Sequence, residues 1–515
     1  MTPVAEALRR PEAYPHPVDT PIRVVETHIS WIFLTGRYAY KLKKPVDLGF
    51  LDFSTPERRR HCCMEELRLN RRLCAGLYLD VLPVTAERDG FRIGGGGPES
   101  DWVVRMSQFD RSFELDRLLA AGELSTERVR EISRIVSDFH RTAPPADEAS
   151  SFGTPEVLLV PMVENLDRTE GLLHSPAERE AIEAIRSWTV AEHRRLSPVL
   201  LERKARGFVR ECHGDMHTGN MVVWEGKVTI FDCIEFNPNL SVIDVMSDAA
   251  FLFMDLQHSP YPGLAWEFLN AYLSEGGDYG GLRVLRLYCA YRAMVRAKVT
   301  AIRLLQEGDP EARRKSLDEH RSYLSLALGY IRPAPPALLL THGVSGSGKS
   351  VLASGLAAAG GFVHLRSDVE RKRLFGMSPL QGSRLSGIDI YTHGATTETY
   401  RILLEAAGHA LSGQWPVIVD ATFLREEQRR PFIELAERTG CRCRILSLTA
   451  PGEVLRERVR SRLERGGDPS EADLAVLDRQ LESIEPLTRK ERTLGIAVDT
   501  RGRMDHAALL AAISR

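Results

Sequence analysis

The sequence predicts an α/β and α+β multidomain protein, and three observations support this. A glycine-rich loop at residues 343–350 stands between an apolar, strand-like run and a helix rich in alanine and leucine, as in a parallel-sheet α/β domain. Short strand-like runs and one long helix fill roughly the first hundred residues. The stretch between these regions mainly shows the spacing of apolar residues that is typical of helices. The chain has 515 residues, which is long enough for more than one domain.

The composition excludes some classes of partner. There are 68 lysine and arginine residues against 70 aspartate and glutamate residues, so the net charge is −2 and no overall field favours nucleic acid or anionic membranes. No apolar run is long enough to cross a bilayer, and the N-terminal segment lacks the apolar core of a signal peptide. We therefore expect a cytoplasmic protein with no membrane partner. The eight cysteines lack paired C-x-x-C spacings and predict reduced thiols instead of a structural zinc site.

The N-terminal region is predicted to form a small sheet with one helix. Residues 1–20 contain four prolines and predict an irregular arm. A helix is predicted from about residue 55 to about residue 73. The predicted strands of this five-stranded sheet are 22–25, 31–34, 37–43, 91–93 and 102–106.

The domain limits are predicted from this sheet and from a proline-rich linker. Residues 331–336 read IRPAPP, which cannot easily continue a helix. Before the linker, helices are predicted at 115–121, 126–141 and 176–193. The predicted domains are 1–106, 107–332 and 337–515.

A compact polar motif lies in the middle of the chain. Residues 213–220 read HGDMHTGN, and an apolar run ending in Asp232 follows about a dozen residues later. This segment resembles the catalytic segment of aminoglycoside phosphotransferase-like kinases, whose pattern is H-G-D-x-H-x-x-N followed by an apolar strand that ends in aspartate. The positions that match are His213, Gly214, Asp215, His217, Asn220 and Asp232. The resemblance covers roughly residues 20–330 and implies the two-lobed protein-kinase-like fold.

The resemblance also implies roles for individual residues. Asp215 would orient or accept the proton of a substrate hydroxyl. Asn220 and Asp232 would bind Mg²⁺ through oxygen atoms. Lys41, on the third predicted strand, would hold the ATP phosphates, and Glu66 would pair with that lysine.

Two points in this region stay open. We choose Glu66 over its neighbour Glu65 because Leu69 and Leu73 follow it at helical spacing, although a solvated helix face is the alternative for Glu66. Residues 26–30, between the first two strands, hold no glycine-rich loop, so the choice between ATP and GTP is open. The resemblance also implies that Asp248 braces the catalytic loop.

The glycine-rich loop GVSGSGKS fits the P-loop pattern G-x-x-x-x-G-K-[ST]. In this pattern Lys349 reaches the β- and γ-phosphates and Ser350 binds Mg²⁺. The alternative is a glycine-rich turn with a solvent-exposed lysine. The residues predicted to cradle the phosphates through their backbone are Gly343, Ser345, Gly346, Ser347 and Gly348.

Further charged residues follow the predicted strands of the C-terminal region. Asp368 and Arg371 come after the second strand, Asp420 ends the third, and Arg458 and Arg462 lie on a later helix. This arrangement resembles P-loop kinases such as polynucleotide 5′-kinase and zeta-toxin-like sugar-nucleotide kinases. The resemblance implies that Asp368 engages the acceptor hydroxyl, Arg371 binds an acceptor anion and Asp420 contributes to the metal site. It implies that Arg458 contacts ATP and that Arg462 contacts the transferring phosphate, although a solvated charged face is the alternative for each arginine.

Together the two regions resemble bacterial fusions of these two kinase types. We expect a bifunctional ATP-dependent phosphotransferase that uses ATP and Mg²⁺ and acts on small molecules bearing a hydroxyl group. The acceptor of the C-terminal domain is expected to be anionic, and nucleic acid is not an expected partner. Two rival functions remain. One is a nucleic-acid or nucleotide end kinase with the N-terminal domain as a binding platform. The other is a regulatory ATP-sensing protein with one inactive domain.

Overall fold

The computed structural model describes residues 1–49, 51–172, 175–382, 389–502 and 504–514. The chain forms two compact units, which we call the first unit and the second unit. The first unit comprises Met1–Leu124, Thr142–Leu158 and Leu201–Leu252, and the second comprises Ser125–Arg141, Leu159–Leu200 and Phe253–Arg515. The domain limits drawn from the sequence stay a prediction.

The helices and strands are numbered along the chain. The strands are β1 Arg23–Glu26, β2 Ser30–Leu34, β3 Tyr38–Lys43, β4 Tyr78–Glu87, β5 Gly90–Ile93, β6 Glu99–Ser107, β7 Val209–Glu211, β8 Met221–Trp224, β9 Lys227–Ile230, β10 Val242–Asp244, β11 Ala337–His342, β12 Val363–Arg366, β13 Val417–Asp420, β14 Arg442–Thr449 and β15 Gly495–Asp499. The helices are α1 Pro3–Ala7, α2 Pro56–Cys74, α3 Leu115–Ala120, α4 Thr126–Thr142, α5 Pro155–Glu170, α6 Pro176–Ala205, α7 Pro238–Ser241, α8 Val245–His258, α9 Gly263–Gly276, α10 Leu282–Gln306, α11 Pro310–Ile331, α12 Lys349–Gly360, α13 Ser367–Leu374, α14 His393–Ser412, α15 Glu426–Thr439, α16 Gly452–Arg465, α17 Leu474–Ser483, α18 Arg489–Leu494 and α19 His506–Ser514.

The first unit contains a six-stranded antiparallel sheet in the order β1-β2-β3-β6-β4-β5. The prediction of five strands is therefore wrong, because it missed β4. The register of β4 against β6 shifts between Tyr78 and Asp80, which breaks the alternation of apolar and polar residues. Pro83 also lies within β4, and proline in a run argues against a strand when only the sequence is considered.

The N-terminal arm is ordered and packed, so the prediction of an irregular arm is wrong. Val4, Leu8 and Tyr14 belong to the same buried cluster as Phe33 and Tyr40 of the sheet. The prolines do not prevent this, because the first proline of α1 occupies a position in the first turn, where its missing N–H is not needed.

Helix α2 carries its functional residues on the face that packs against the sheet. It begins after Thr55, whose side chain accepts a hydrogen bond from the backbone N–H of Arg58. Cys63, Glu66 and Asn70 are buried on this helix. The spacing of three and four residues therefore brings Glu66 towards the strand that bears Lys41.

Short paired strands frame the central polar motif of the first unit. Strand β7 pairs with β10, and β8 pairs with β9 in a hairpin. Residues 213–220 lie between β7 and β8, and Asp232 follows β9. The two ends of the motif are therefore held by strand pairing.

The second unit contains a parallel sheet in the order β12-β13-β11-β14-β15. The glycine-rich loop joins β11 to α12, and the carboxyl ends of the parallel strands meet at this edge of the sheet. The predicted fold class, mixed α/β and α+β with a C-terminal parallel sheet, is confirmed. Among the described residues, none of the helices has both the length and the apolar character needed to cross a membrane.

Candidate active sites

In the first unit, Lys41 lies between two carboxylates. Its Nζ atom is 2.7 Å from Oε1 of Glu66 and 2.6 Å from Oδ1 of Asp232. The side chain of Glu66 is fully buried, whereas the side chain of Asp232 is 42% exposed. The neighbouring Glu65 instead pairs with Arg68 on the exposed helix surface. The structure thus brings Glu66, and not Glu65, to Lys41.

A second lysine shares this network, and sequence reasoning missed it. The Nζ atom of Lys43 lies 2.5 Å from Oε2 of Glu66 and also donates a hydrogen bond to Glu235. Lys43 stands two residues after Lys41 on β3, and the strand period of two puts both side chains on one face. That period is the signal that could have found it. Glu235 has no comparable local signal, because 192 residues separate it from Lys43.

The pKa values show how tightly these charges depend on one another. Burial opposes the charged form of Lys41, but the carboxylates of Asp232 and Glu66 outweigh it and raise the pKa. Burial also opposes ionisation of Glu66, but Lys41 and Lys43 outweigh it and lower its pKa to about 2. Lys41 and Glu66 are therefore both charged at neutral pH.

The central motif is fixed by backbone hydrogen bonds to a buried carboxylate. The N–H groups of His213 and Gly214 each donate to Asp248 at 2.9 Å. Nε2 of His213 is 2.8 Å from the carbonyl oxygen of Phe231, and the N–H of Asp215 donates to Nδ1. Burial lowers the pKa of His213, which keeps the ring neutral with its proton on Nε2. Asp248 thus lies where a brace for this loop was expected.

Asp215 is held by the other polar residues of the motif. Nδ2 of Asn220 donates to the backbone oxygen of Asp215 at 2.9 Å and to its Oδ2 atom at 3.1 Å. Nε2 of His217 lies 3.4 Å from the same carboxylate oxygen. The Asp215 side chain remains 36% exposed, so an acceptor hydroxyl can reach it.

The donor set of this site suits a hard divalent cation. The amide nitrogen of Asn220 is bound to Asp215, which leaves its oxygen for a metal, and Asp232 offers a carboxylate. The N–H of Phe231 donates to the carbonyl oxygen of Asn220, so the two predicted ligands lie at the same end of the β8–β9 hairpin, Asn220 just before β8 and Asp232 just after β9. Asn70 of α2 accepts a hydrogen bond from the N–H of Cys233, which fixes the loop just after Asp232.

In the second unit, the P-loop wraps the start of α12. Gly346 has φ +80°, and a Cβ atom there would lie 2.7 Å from the carbonyl oxygen of Leu455, so glycine is required. The hydroxyl of Ser347 is buried and lacks a protein partner among the described residues. The N–H of Ser345 donates to Oε1 of Gln480 at 2.7 Å, a contact that sequence reasoning missed.

Lys349 is 8% exposed and donates to the carbonyl oxygen of Val344 at 2.8 Å. Burial lowers the pKa of Lys349 to about 8, and it outweighs the opposing charges of Asp420 and Asp368. The alternative of a solvent-exposed lysine is therefore wrong.

Asp420 ends β13 beside the P-loop. Its Oδ2 atom is 3.2 Å from Nε2 of His364 and 3.8 Å from Nε of Arg366, and Ser350 also hydrogen bonds to it. Burial opposes ionisation, but these partners outweigh it and lower the pKa of Asp420 to about 2. The pairing of Ser350 with an ionised aspartate suits a metal site at the P-loop.

The remaining predicted residues line one cavity with the P-loop. Its volume is about 1930 Å³, and Asp368, Arg371, Arg458 and Arg462 lie along its wall. Arg371 is 6% exposed, donates from Nη1 to Thr396 at 3.1 Å, and has an Nε atom without a partner among the described residues. Arg458 donates to the carbonyl oxygen of Gly346 at 3.3 Å. The structure thus brings the predicted residues together around this cavity, except Gly343 and Ser347, which are not among the residues that line it.

The cavity wall carries more positive than negative side chains. The basic residues are Lys349, Arg371, Arg401, Arg425, Arg458, Arg462, Arg465 and Arg479, and the acidic residues are Asp368, Asp420, Glu427, Asp468 and Asp505. This balance favours anionic ligands.

Comparison with known proteins gives one family and several relatives. Residues 338–487 match the family model described as the AAA domain, which supports the P-loop assignment of the C-terminal region. An uncharacterized protein of Mycobacterium tuberculosis is 28% identical over 491 residues, and the match covers 94% of this chain and 96% of that protein. The likeness to the mycobacterial protein thus spans both units.

Two solved structures are similar to parts of this chain. A gluconokinase from Sinorhizobium meliloti 1021 is 23% identical, and the match covers 35% of this chain and 91% of that chain with a TM-score of 0.24. A choline/ethanolamine kinase family protein from Mesorhizobium loti is 13% identical, with 64% of this chain and 99% of that chain covered and a TM-score of 0.38.

Proposed function

We propose that the protein is a bifunctional ATP-dependent phosphotransferase, in which each unit transfers the γ-phosphate of ATP to a hydroxyl group of a small molecule. One observation carries the proposal. The first unit gathers Lys41, Glu66 and Asp232 within hydrogen-bonding distance, and the second gathers the P-loop, Asp420 and Asp368 around one cavity. These two sets of groups share no residue, and each has the charges that phosphoryl transfer requires.

In the first unit, the chain's own residues position the acceptor and hold charge. Asp215 faces solvent from a fixed loop and orients the acceptor hydroxyl or takes its proton. Lys41 holds phosphate oxygens, while Asn220 and Asp232 would hold Mg²⁺. When bound, ATP supplies the phosphoryl group and Mg²⁺ neutralises its charge.

In the second unit, the P-loop amides and Lys349 hold the phosphates, and Ser350 with Asp420 would hold Mg²⁺. Asp368 orients the acceptor hydroxyl at the start of α13. Arg371, whose Nε atom lacks a partner among the described residues, binds an anionic group of the acceptor. The positive excess on the cavity wall supports an anionic acceptor.

Two substitutions in the full chain test this proposal. Asp215→Asn should lower the turnover of the first unit by about 10²–10⁴-fold and leave the second unit active. Lys349→Ala should do the reverse. Asp89→Asn, at an exposed turn, is the control for Asp215→Asn.

The measurement is ATP turnover in the presence of a panel of hydroxylated metabolites, with acceptors first found by thermal shift alongside a non-hydrolysable ATP analogue. If either single substitution silenced all ATP turnover, the two-site proposal would be wrong. Excess EDTA should abolish both activities, and full activity in EDTA would contradict the metal sites.

A further inference from the structure

We propose that Tyr279 and helix α9 position helix α13, and with it the acceptor side of the P-loop site, so that Tyr279 is a positioning residue of the second unit. This inference rests on the proposed function of that site. All of these residues belong to the second unit.

Helix α13 needs external support to hold its position. It has eight residues and carries Asp368 and Arg371. Isolated helices of this length are marginal in water, so tertiary contacts decide where it lies. Two of the contacts that hold it come from Glu370 and Arg373, which are spaced by three residues and share one side of the helix.

Glu370 is the first anchor. Its side chain is 1% exposed, and its Oε1 atom accepts a hydrogen bond of 2.7 Å from the hydroxyl of Tyr279. Nε of Arg373 donates to the other carboxylate oxygen at 3.0 Å. Tyr279 is itself buried, and a buried carboxylate that loses a donor is strongly disfavoured. Tyr279 thus holds Glu370 in one place.

Arg373 is the second anchor. Its guanidinium donates to the carbonyl oxygens of Ser274 at 2.6 Å and Glu275 at 3.1 Å, in the last turn of α9. Carbonyl groups at a helix C-terminus lack partners within the helix and attract cations. A Cβ atom on Gly277 would lie 2.9 Å from Nη1 of Arg373, so the glycine leaves room for the arginine to reach these carbonyls.

The same helix α9 also holds the strand that leads into α13. Strand β12 lies at the edge of the parallel sheet and runs directly into α13. Nδ2 of Asn270 donates to the carbonyl oxygen of Phe362 at 3.0 Å, and Oδ1 of Asn270 accepts from the N–H of His364 at 2.8 Å. One amide side chain therefore pairs with the edge backbone as a neighbouring strand would.

These contacts change the role of α9. Its sequence position places it before the proline-rich linker, in the region predicted to serve the first active site. Its residues nevertheless contact strand β12 and helix α13. These two elements place Asp368 and Arg371 at the cavity of the second active site. Movement of α13 would displace the anion-binding guanidinium but leave the P-loop in place.

The test is Tyr279→Phe in the full chain, which removes only the hydroxyl group. Tyr261→Phe is the matched control, because Tyr261 is 44% exposed and lies outside this contact. Hydrogen exchange of residues 367–374 is compared with that of residues 349–360, without nucleotide. We expect exchange in α13 to become several-fold faster, with α12 unchanged. Unchanged exchange in α13, or an equal rise in both helices, would overturn the proposal.

Binding measurements separate positioning from general damage. With Tyr279→Phe, the Kd for Mg-ADP should stay within twofold, while the affinity of the ADP-loaded protein for inorganic phosphate falls at least threefold, as it should with Arg371→Ala. A loss of ADP affinity equal to the loss of phosphate affinity would contradict a positioning role. If the wild-type protein bound neither ligand, the proposed function would fail, and the exchange result would still decide the position of α13.

Discussion

The two candidate active sites arrange their charges in opposite ways. In the first unit, Lys41 and Lys43 are paired with carboxylates at distances of 2.5–2.7 Å. In the second unit, the cations line a cavity in which basic side chains outnumber acidic ones, and Arg371 keeps an unpartnered Nε atom within the described part of the chain. The first site is neutralised by its own residues, whereas the second retains positive charge for a ligand.

The sites also differ in what supports them. The lysines, glutamates and predicted metal ligands of the first site are held by its own sheet, helix and central motif. In the second unit, helix α13, which carries Asp368 and Arg371, contacts Tyr279 and the last turn of α9, and both lie outside the segment that matches the AAA domain. A complete motif therefore does not mark the full extent of the structure on which its site depends.

The largest expected effect concerns the buried network of the first unit. Glu66→Ala leaves Lys41 and Lys43 without their shared carboxylate, and breaking a buried pair in this way costs about 3–5 kcal/mol. We expect the free energy of unfolding to fall by that amount in chemical denaturation. Glu65→Ala, on the exposed side of the same helix, should change it by about 0–1 kcal/mol. If Glu66→Ala and Glu65→Ala lowered the free energy of unfolding equally, the buried network of the first unit would not be neutralised by its own residues.

The second expected effect is an increase in the free energy of unfolding, and it concerns the second unit. Burial lowers the pKa of Lys349 from 10.5 to about 8, so the charged lysine costs about 3 kcal/mol at pH 7. Lys349→Met should therefore raise the free energy of unfolding at pH 7, although it removes activity.

The pH dependence gives the sign of that effect. Between pH 8 and 10.5 the unfolded chain holds a proton that the folded chain has released, so wild-type stability rises with pH in this window. The advantage of Lys349→Met should thus shrink from pH 7 to pH 10. Chemical denaturation at both pH values measures it, and a constant difference would contradict the assigned pKa.

The smallest expected effect concerns the proposed anion-binding residue, Arg371. Hydrogen bonds to charged groups contribute about 1.5–3 kcal/mol, so Arg371→Ala should raise the acceptor KM by about 10–100-fold and change the ATP KM little. Arg462→Ala should instead lower kcat, because an arginine over the P-loop acts on charge in the transition state. Arg438→Ala, on an exposed part of α15, is the control. Steady-state kinetics with an identified acceptor measure both effects. If the two substitutions affected ATP and the acceptor equally, the proposed difference between the roles of Arg371 and Arg462 would be wrong.

The sequence by itself determined the parts of each site that depend on local spacing. The P-loop between β11 and α12, the motif at residues 213–220 and the strand that ends in Asp420 each lie within a short stretch, where residue type and spacing dictate backbone geometry. Glu66 could also be predicted from the sequence, because helical periodicity distinguishes a buried helix face from an exposed one.

The tertiary structure alone decided the contacts between distant segments. The contacting residues Lys43 and Glu235 are separated by 192 residues, and Tyr279 and Glu370 are separated by 91. No local sequence pattern predicts such pairs. Strand β4 and the packed N-terminal arm were missed for the same reason, since a bulge and several prolines obscure their pattern until neighbouring segments bury them. Chemistry at these sites follows from local motifs, whereas the position of each motif follows from burial and pairing across the whole chain.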